Sequence, residues 1–145
     1  MLRTSFALLV AGAVAGCSAS ANFTPMASSS GQTQEELSAY AGHASYPATM
    51  PASNELKAAA MVSPDQKMLK IYNFGHEPID NADVWVNGSF VYHVNTVAPD
   101  SSVTISASQL FNSAGASLSS QGTPVSRVQI KTENGLYNLM GPAAL

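Results

Sequence analysis

Two Asn-Gly pairs, Asn87-Gly88 and Asn134-Gly135, each stand between short runs in which apolar and polar residues alternate. A tight hairpin needs positive φ at both turn positions, which Asn and Gly adopt most readily, so each pair predicts two antiparallel strands joined end to end. Before the first pair, Val84 and Val86 alternate with Asp83, Trp85 and Asn87, and Phe90 to Val97 follow it. Before the second, Val128 and Ile130 alternate with Arg127, Gln129 and Lys131, and Leu136 to Met140 follow. A period of two is the signature of a pleated strand with one face buried. Two further runs, Ala58 to Val62 and Lys67 to Asn73, flank Ser63-Pro64-Asp65-Gln66, whose Pro and Asp suit a type I turn. Pro99-Asp100-Ser101-Ser102 marks another turn before Val103 and Ile105, and a polar loop fills 112–123. These are seven candidate strands with no helix of convincing period among them. Regular short strands with turns between them predict an all-β domain over residues 58–145, a β-sandwich or small barrel.

Two-residue turns fix register, and register assigns faces. At the second hairpin, Ile130 should oppose Leu139 and Thr132 should oppose Tyr137, on one side with Val128. Gln129, Lys131, Glu133 and Asn138 then share a wet side. At the first hairpin, Trp85 should oppose Phe90 and Asp83 should oppose Tyr92, with Val84, Val91, Val86 and His93 on the reverse. Both faces of that hairpin are largely apolar, which admits two readings. Either one face is core and the other lies under the segment preceding the domain, or Trp85, Phe90 and Tyr92 form an exposed aromatic platform for a glycan, peptide or partner protein. Those three residues are the candidate binding site.

The order of strands and turns resembles that of immunoglobulin-like modules of bacterial envelope proteins. That fold's paired cysteines are missing, because the chain has a single cysteine. The resemblance therefore extends to architecture alone.

The N-terminus has a different texture. Arg3 precedes an uncharged run from Phe6 to Gly16, too short for the roughly 20 residues that span a bilayer core. It lacks the polar stripe of a globular helix. A positive start, a short apolar stretch and small residues at its end describe a secretory signal peptide. The run closes on Val14-Ala15-Gly16-Cys17, which resembles the lipobox of bacterial lipoprotein precursors: an aliphatic residue, two small ones, then the cysteine. The resemblance implies removal of residues 1–16, a diacylglyceryl thioether on Cys17 and an acylated Cys17 amine. Two or three acyl chains anchor stably where one does not. Ser18 stands where an Asp would imply inner-membrane retention in enteric members, so the resemblance points to the outer membrane. The competing reading is a small-x-small site at Ala19-Ser20-Ala21, from which ordinary signal peptidase would release a soluble protein.

After the cysteine, Ser18 to Thr33 is mostly Ser, Ala, Gly and Thr, a composition with too little apolar surface to offset its ordering entropy. Glu35 to Ala44 has Leu37, Tyr40, Ala41 and Ala44 on one helical side, although an isolated helix of that length is marginal. Residues 45–54 return to loop composition. The expected organisation is a signal peptide over 1–16, a lipidated cysteine with a flexible tether over 17–57, and the β-sandwich over 58–145.

Composition removes several function classes. Charged residues make up 10% of the chain, against roughly 25% in an average domain, and the six Lys and Arg are dispersed. Nucleic acid is therefore an unsuited partner. The net charge of −3 becomes one unit more negative when Arg3 leaves with the signal peptide, so electrostatics supply no attraction to anionic lipid. His76, Asp80, Asp83 and His93 match no metal-ligand spacing, and no phosphate-cradling loop or nucleophile motif occurs. No cofactor or metal is expected. The sequence thus predicts a non-enzymatic, lipid-anchored module whose partners are the membrane and an envelope protein or glycan. Pairing through an exposed sheet edge is a further route to an assembly.

Overall fold

The computed structural model describes residues 31–144, with the side chains of 140–144 excepted. The chain runs α1 (Gln34–His43), β1 (Ala52–Ser53), β2 (Ala58–Val62), β3 (Met68–Asn73), β4 (Ile79–Val86), β5 (Phe90–Val97), β6 (Ser101–Ser106), β7 (Phe111–Asn112), α2 (Leu118–Gln121), β8 (Val128–Thr132), β9 (Gly135–Asn138) and β10 (Met140–Ala144). Two sheets form a sandwich, one ordered β1-β9-β8-β4-β5-β7 and the other β10-β2-β3-β6. The seven runs that alternate in sequence are its central strands. They pair as β2-β3-β6 and β9-β8-β4-β5, a β-sandwich in which the chain crosses between sheets after β3, β5 and β6. At the margins, β1 runs parallel to β9 and β10 runs parallel to β2.

The core lies between the sheets. Ala58, Ala60, Val62, Leu69 and Ile71 from the smaller sheet meet Ala82, Val84, Val86, Phe90, Tyr92, Val94, Val128 and Ile130 from the larger. With no disulfide in the domain, the apolar area buried here is the main source of its stability. Asn73 is one of two buried polar residues among the described ones, and its amide is fully used. Nδ2 donates to the carbonyls of Glu77 and Val97, and Oδ1 accepts from the Gly75 amide. That side chain fixes the crossover from β3 to β4.

Both hairpins depart from the expected register. At the first, Val86 pairs with Phe90, Trp85 with Val91, Val84 with Tyr92 and Asp83 with His93. The turn holds three residues, closed by the Ser89 amide donating to the Val86 carbonyl, with Asn87 and Gly88 both at positive φ. The cause is tertiary. Asn87 Oδ1 accepts from the Ser126 amide, the Ser126 hydroxyl and the Arg127 amide, while Nδ2 donates to the Pro124 carbonyl. Those bonds recruit Asn87 to hold the lead-in to β8. A slip of one exchanges faces, so Trp85 parts from Phe90 and Tyr92. At the second hairpin Thr132 pairs with Gly135 and Ile130 with Tyr137, a shift of two. Faces survive a shift of two, and Val128, Ile130, Thr132 and Tyr137 stay together as expected.

The segment before the sandwich is also corrected. Part of the expected tether over 17–57 is packed instead, because α1, Tyr46 and Leu56 lie on the domain, whereas 17–30 lies outside the described residues. Thr33 caps α1 in a capping box: its hydroxyl accepts from the Glu36 amide, and Glu36 Oε2 accepts from the Thr33 amide. This satisfies two of the orphan donors at the helix start. Leu37 and Ala41 are buried in the same cluster as the sandwich core, and α1 lies against β5 and β7. Docking stabilises a helix that would be marginal alone.

Candidate functional site

The outer face of the larger sheet is where the chain's chemistry concentrates. Asp83 and Trp85 on β4, Val91 and His93 on β5, and Gln129 and Lys131 on β8 share it through their cross-strand pairing. Two elements of the preceding segment close over this face, each with a tyrosine.

The first tyrosine is Tyr40 on α1. Its hydroxyl donates to Asp83 Oδ1 at 2.5 Å, and His93 Nδ1 lies 2.8 Å from the same oxygen. The Tyr40 and His93 rings are 5.5 Å apart and tilted. One carboxylate oxygen thus gathers a phenol and an imidazole, tying the helix to both strands of the first hairpin. Burial raises the Tyr40 hydroxyl above its ordinary pKa of 10.0, and the hydrogen bond to Asp83 and that carboxylate's negative charge raise it further. The phenol is therefore held as a neutral donor.

The second is Tyr46. Its hydroxyl donates to Gln129 Oε1 at 2.6 Å, Gln129 Nε2 donates to Asn138 Oδ1 at 2.8 Å, and Asn138 Nδ2 donates to Asn54 Oδ1 at 3.1 Å. This relay explains why Gln129, expected on a wet face, is 4% exposed. The Tyr46 ring stands edge-on to Trp85 at 5.4 Å, and the Arg127 guanidinium carbon sits 5.7 Å from the Tyr46 ring centre. Trp85 is buried beneath this stack, and its Nε1 has no hydrogen-bond partner among the described residues.

The candidate aromatic platform does not form. Trp85, Phe90 and Tyr92 are 3%, 4% and 1% exposed. Phe90 and Tyr92 point into the core with Val84 and Val86, and Trp85 lies on the reverse face under Tyr46. The alternative reading of the two apolar faces, core on one side and pre-domain segment on the other, is the one found. Cys17 lies outside the described residues.

A cleft of about 450 Å³ opens at the end of the sandwich, between the segment before β2, the β3–β4 crossover and the β8–β9 turn. Glu55, Glu77, Asp80 and Glu133 line it against Lys57 and His76. The four residues weighed as a metal cluster are split. His76 and Asp80 line this cleft, whereas Asp83 and His93 pair on the sheet face. Among the described residues, no group of three or more His, Cys, Asp or Glu is placed to hold a metal ion.

Sequence reasoning missed Tyr40 and Tyr46 as partners of the sheet. The available signal was the pair Asp83 and His93 beside Trp85, a polar couple on an otherwise apolar face that requires partners once covered. Comparison with protein-family models, curated proteins and solved structures finds no match to this chain.

Proposed function

We propose that the chain is a lipid-anchored cell-envelope lipoprotein that presents a non-enzymatic β-sandwich as an interaction module, held at the outer membrane through Cys17. The observation that carries this reading is Val14-Ala15-Gly16-Cys17 at the close of an eleven-residue uncharged run that follows Arg3. Both halves are needed: the run supplies export, and the small residues before the thiol supply the processing site. The docking of α1 sharpens the geometry. Since the packed domain starts at Thr33, fifteen residues of sequence separate it from Cys17. The sandwich would act on an envelope protein or glycan.

The polar clusters of the covered face favour a binding module over a catalyst. Tyr40, Asp83 and His93, and likewise Tyr46, Gln129, Asn138 and Asn54, use their hydrogen bonds to fasten one part of the domain to another. Metabolic labelling with radioactive palmitate in a bacterial host, followed by fractionation, tests the reading. The account expects label on the wild-type chain and sedimentation with membranes, with both lost in Cys17→Ala. An unlabelled wild-type chain in the soluble fraction would overturn it.

A further inference from the structure

Among the described residues, the smaller sheet ends at β6, which pairs with β3 on one side and with no strand on the other. Its sequence, Ser-Ser-Val-Thr-Ile-Ser, has no charge, no proline and no bulge, the usual devices that keep an edge from pairing. The larger sheet's edges, β1 and β7, are only two residues long, and β10 contains Pro142. β5 also runs past the two-residue β7, but α1 lies against it, which leaves β6 as an edge that no described element covers.

The ladder fixes which of its backbone groups are free. The Ala107 amide donates to the Lys67 carbonyl, continuing the register in which Met68 opposes Ser106. In an antiparallel pair the bonded positions alternate. Ser101, Val103 and Ile105 therefore bond to β3, and Ser102, Thr104 and Ser106 turn their N–H and C=O outward. Ser106 is already closed: its amide donates to Gln109 Oε1 at 3.0 Å and its carbonyl accepts from the Gln109 amide at 2.9 Å. At the other end Asp100 adopts a left-handed conformation, φ 52°, which turns the chain out of the strand. What stays open is a window of three residues, 102–104, with both flanking residues exposed and two donors and two acceptors directed outward.

We infer that this window pairs with the same window of a second copy, antiparallel about a two-fold axis through Val103. Rotation about that axis sets Ser102 of one copy opposite Thr104 of the other, twice, so that all four outward groups on each copy are bonded. Such an isologous contact is closed and stops at two chains. Identical side chains meet near the axis, which tolerates no charge there, and β6 carries none. The two Val103 side chains, half-buried at the edge of each core, face each other and extend the apolar layer across the junction. The Gln109 clamp and the Asp100 turn limit the pairing to the residues that symmetry can satisfy. The product is one continuous sheet of eight strands.

Sedimentation of the mature chain in detergent, with the bound detergent's mass discounted, at roughly 0.1 mM, a concentration that fills an interface of micromolar affinity, tests this directly. The expected mass is twice that of the chain. Thr104→Pro deletes an outward N–H that has no role in the fold, and Thr104→Lys places charge beside the axis without touching the backbone. Each is expected to give a single-chain mass in a chain that still unfolds cooperatively, with a melting temperature that, unlike that of wild type, does not rise with concentration. Val103→Cys adds a readout inside cells. Residues opposite each other in a non-hydrogen-bonded antiparallel pair have Cα atoms about 4.5 Å apart, within disulfide range. A reducible dimer specific to that variant is expected, and Thr104→Lys in the same chain should abolish it. A wild-type chain of single mass, a Val103→Cys chain that forms no specific crosslink, or a dimer that persists in a folded Thr104→Lys chain would each overturn the proposal.

Discussion

The two outer faces of the sandwich differ in what covers them. On the larger sheet, α1 and Tyr46 overlie Trp85, Val91 and Gln129, all of which are buried. On the smaller sheet, Met68, Lys70 and Tyr72 of β3 share the outer face with Ser102, Thr104 and Ser106 of β6, and none of these is buried. The sequence of each strand reflects this. β4 and β5 carry large apolar side chains on both faces, Trp85 and Val91 on the outer one, because each face meets protein. In β3 and β6 burial alternates, because one face meets solvent. A strand with two apolar faces therefore announced a missing layer, and that layer is the segment just upstream.

If that difference is real, equivalent truncations on the two faces should cost very different amounts. The largest effect is expected for Trp85→Ala, which empties the space under Tyr46. Loss of a buried aromatic of this size costs about 3–5 kcal/mol, readable as a lowered midpoint in chemical denaturation. A loss below about 1 kcal/mol, the scale of an ordinary surface substitution, would mean that the face is open in solution. Tyr46→Phe keeps the ring but deprives buried Gln129 Oε1 of its donor, and a stranded buried acceptor costs about 1–3 kcal/mol. Its double-mutant cycle with Gln129→Leu should show strong coupling, and additivity would deny the relay.

Tyr40→Phe sharpens the comparison through pH. The folded chain holds the Tyr40 proton more tightly than the unfolded chain, so the stabilisation is complete below pH 10 and drains away as pH rises beyond it. An alkaline titration of stability should fall less steeply in Tyr40→Phe than in wild type. Identical slopes would show that the phenol is neither buried nor held by Asp83 in solution. The smallest effect belongs to the open face. Tyr72 stacks on exposed Phe74 at 6.4 Å, and Tyr72→Ala should cost about 1 kcal/mol or less. A cost comparable to Trp85→Ala would mean that the smaller sheet also has a cover.

Much of the architecture was legible from period and turn residues. The seven central strands each carry alternation or a bounded apolar run, and the two Asn-Gly pairs sit at the two hairpins they predict. What was not legible is instructive in each case. Asn87 in sequence suits half of a two-residue turn, but its side chain binds the 124–127 segment, contacts 37 to 40 residues away that no local signal encodes. The resulting slip by one residue separated Trp85 from Phe90 and Tyr92 and dissolved the platform. At Asn134 the slip was two residues, harmless to the faces. α1 showed its apolar side in sequence, but its stability depends on docking, so composition alone assigned it to a tether. β1, β7 and α2 are too short to carry a period.

Cys17 carries the proposed anchor, and the intact mass of the mature chain from bacterial membranes tests it most directly. A mass equal to Cys17–Leu145 plus a diacylglyceryl group and an amine-linked acyl chain is predicted. An unmodified chain beginning at Asn22 would contradict it, and would make the sandwich a released domain whose partner is met in solution.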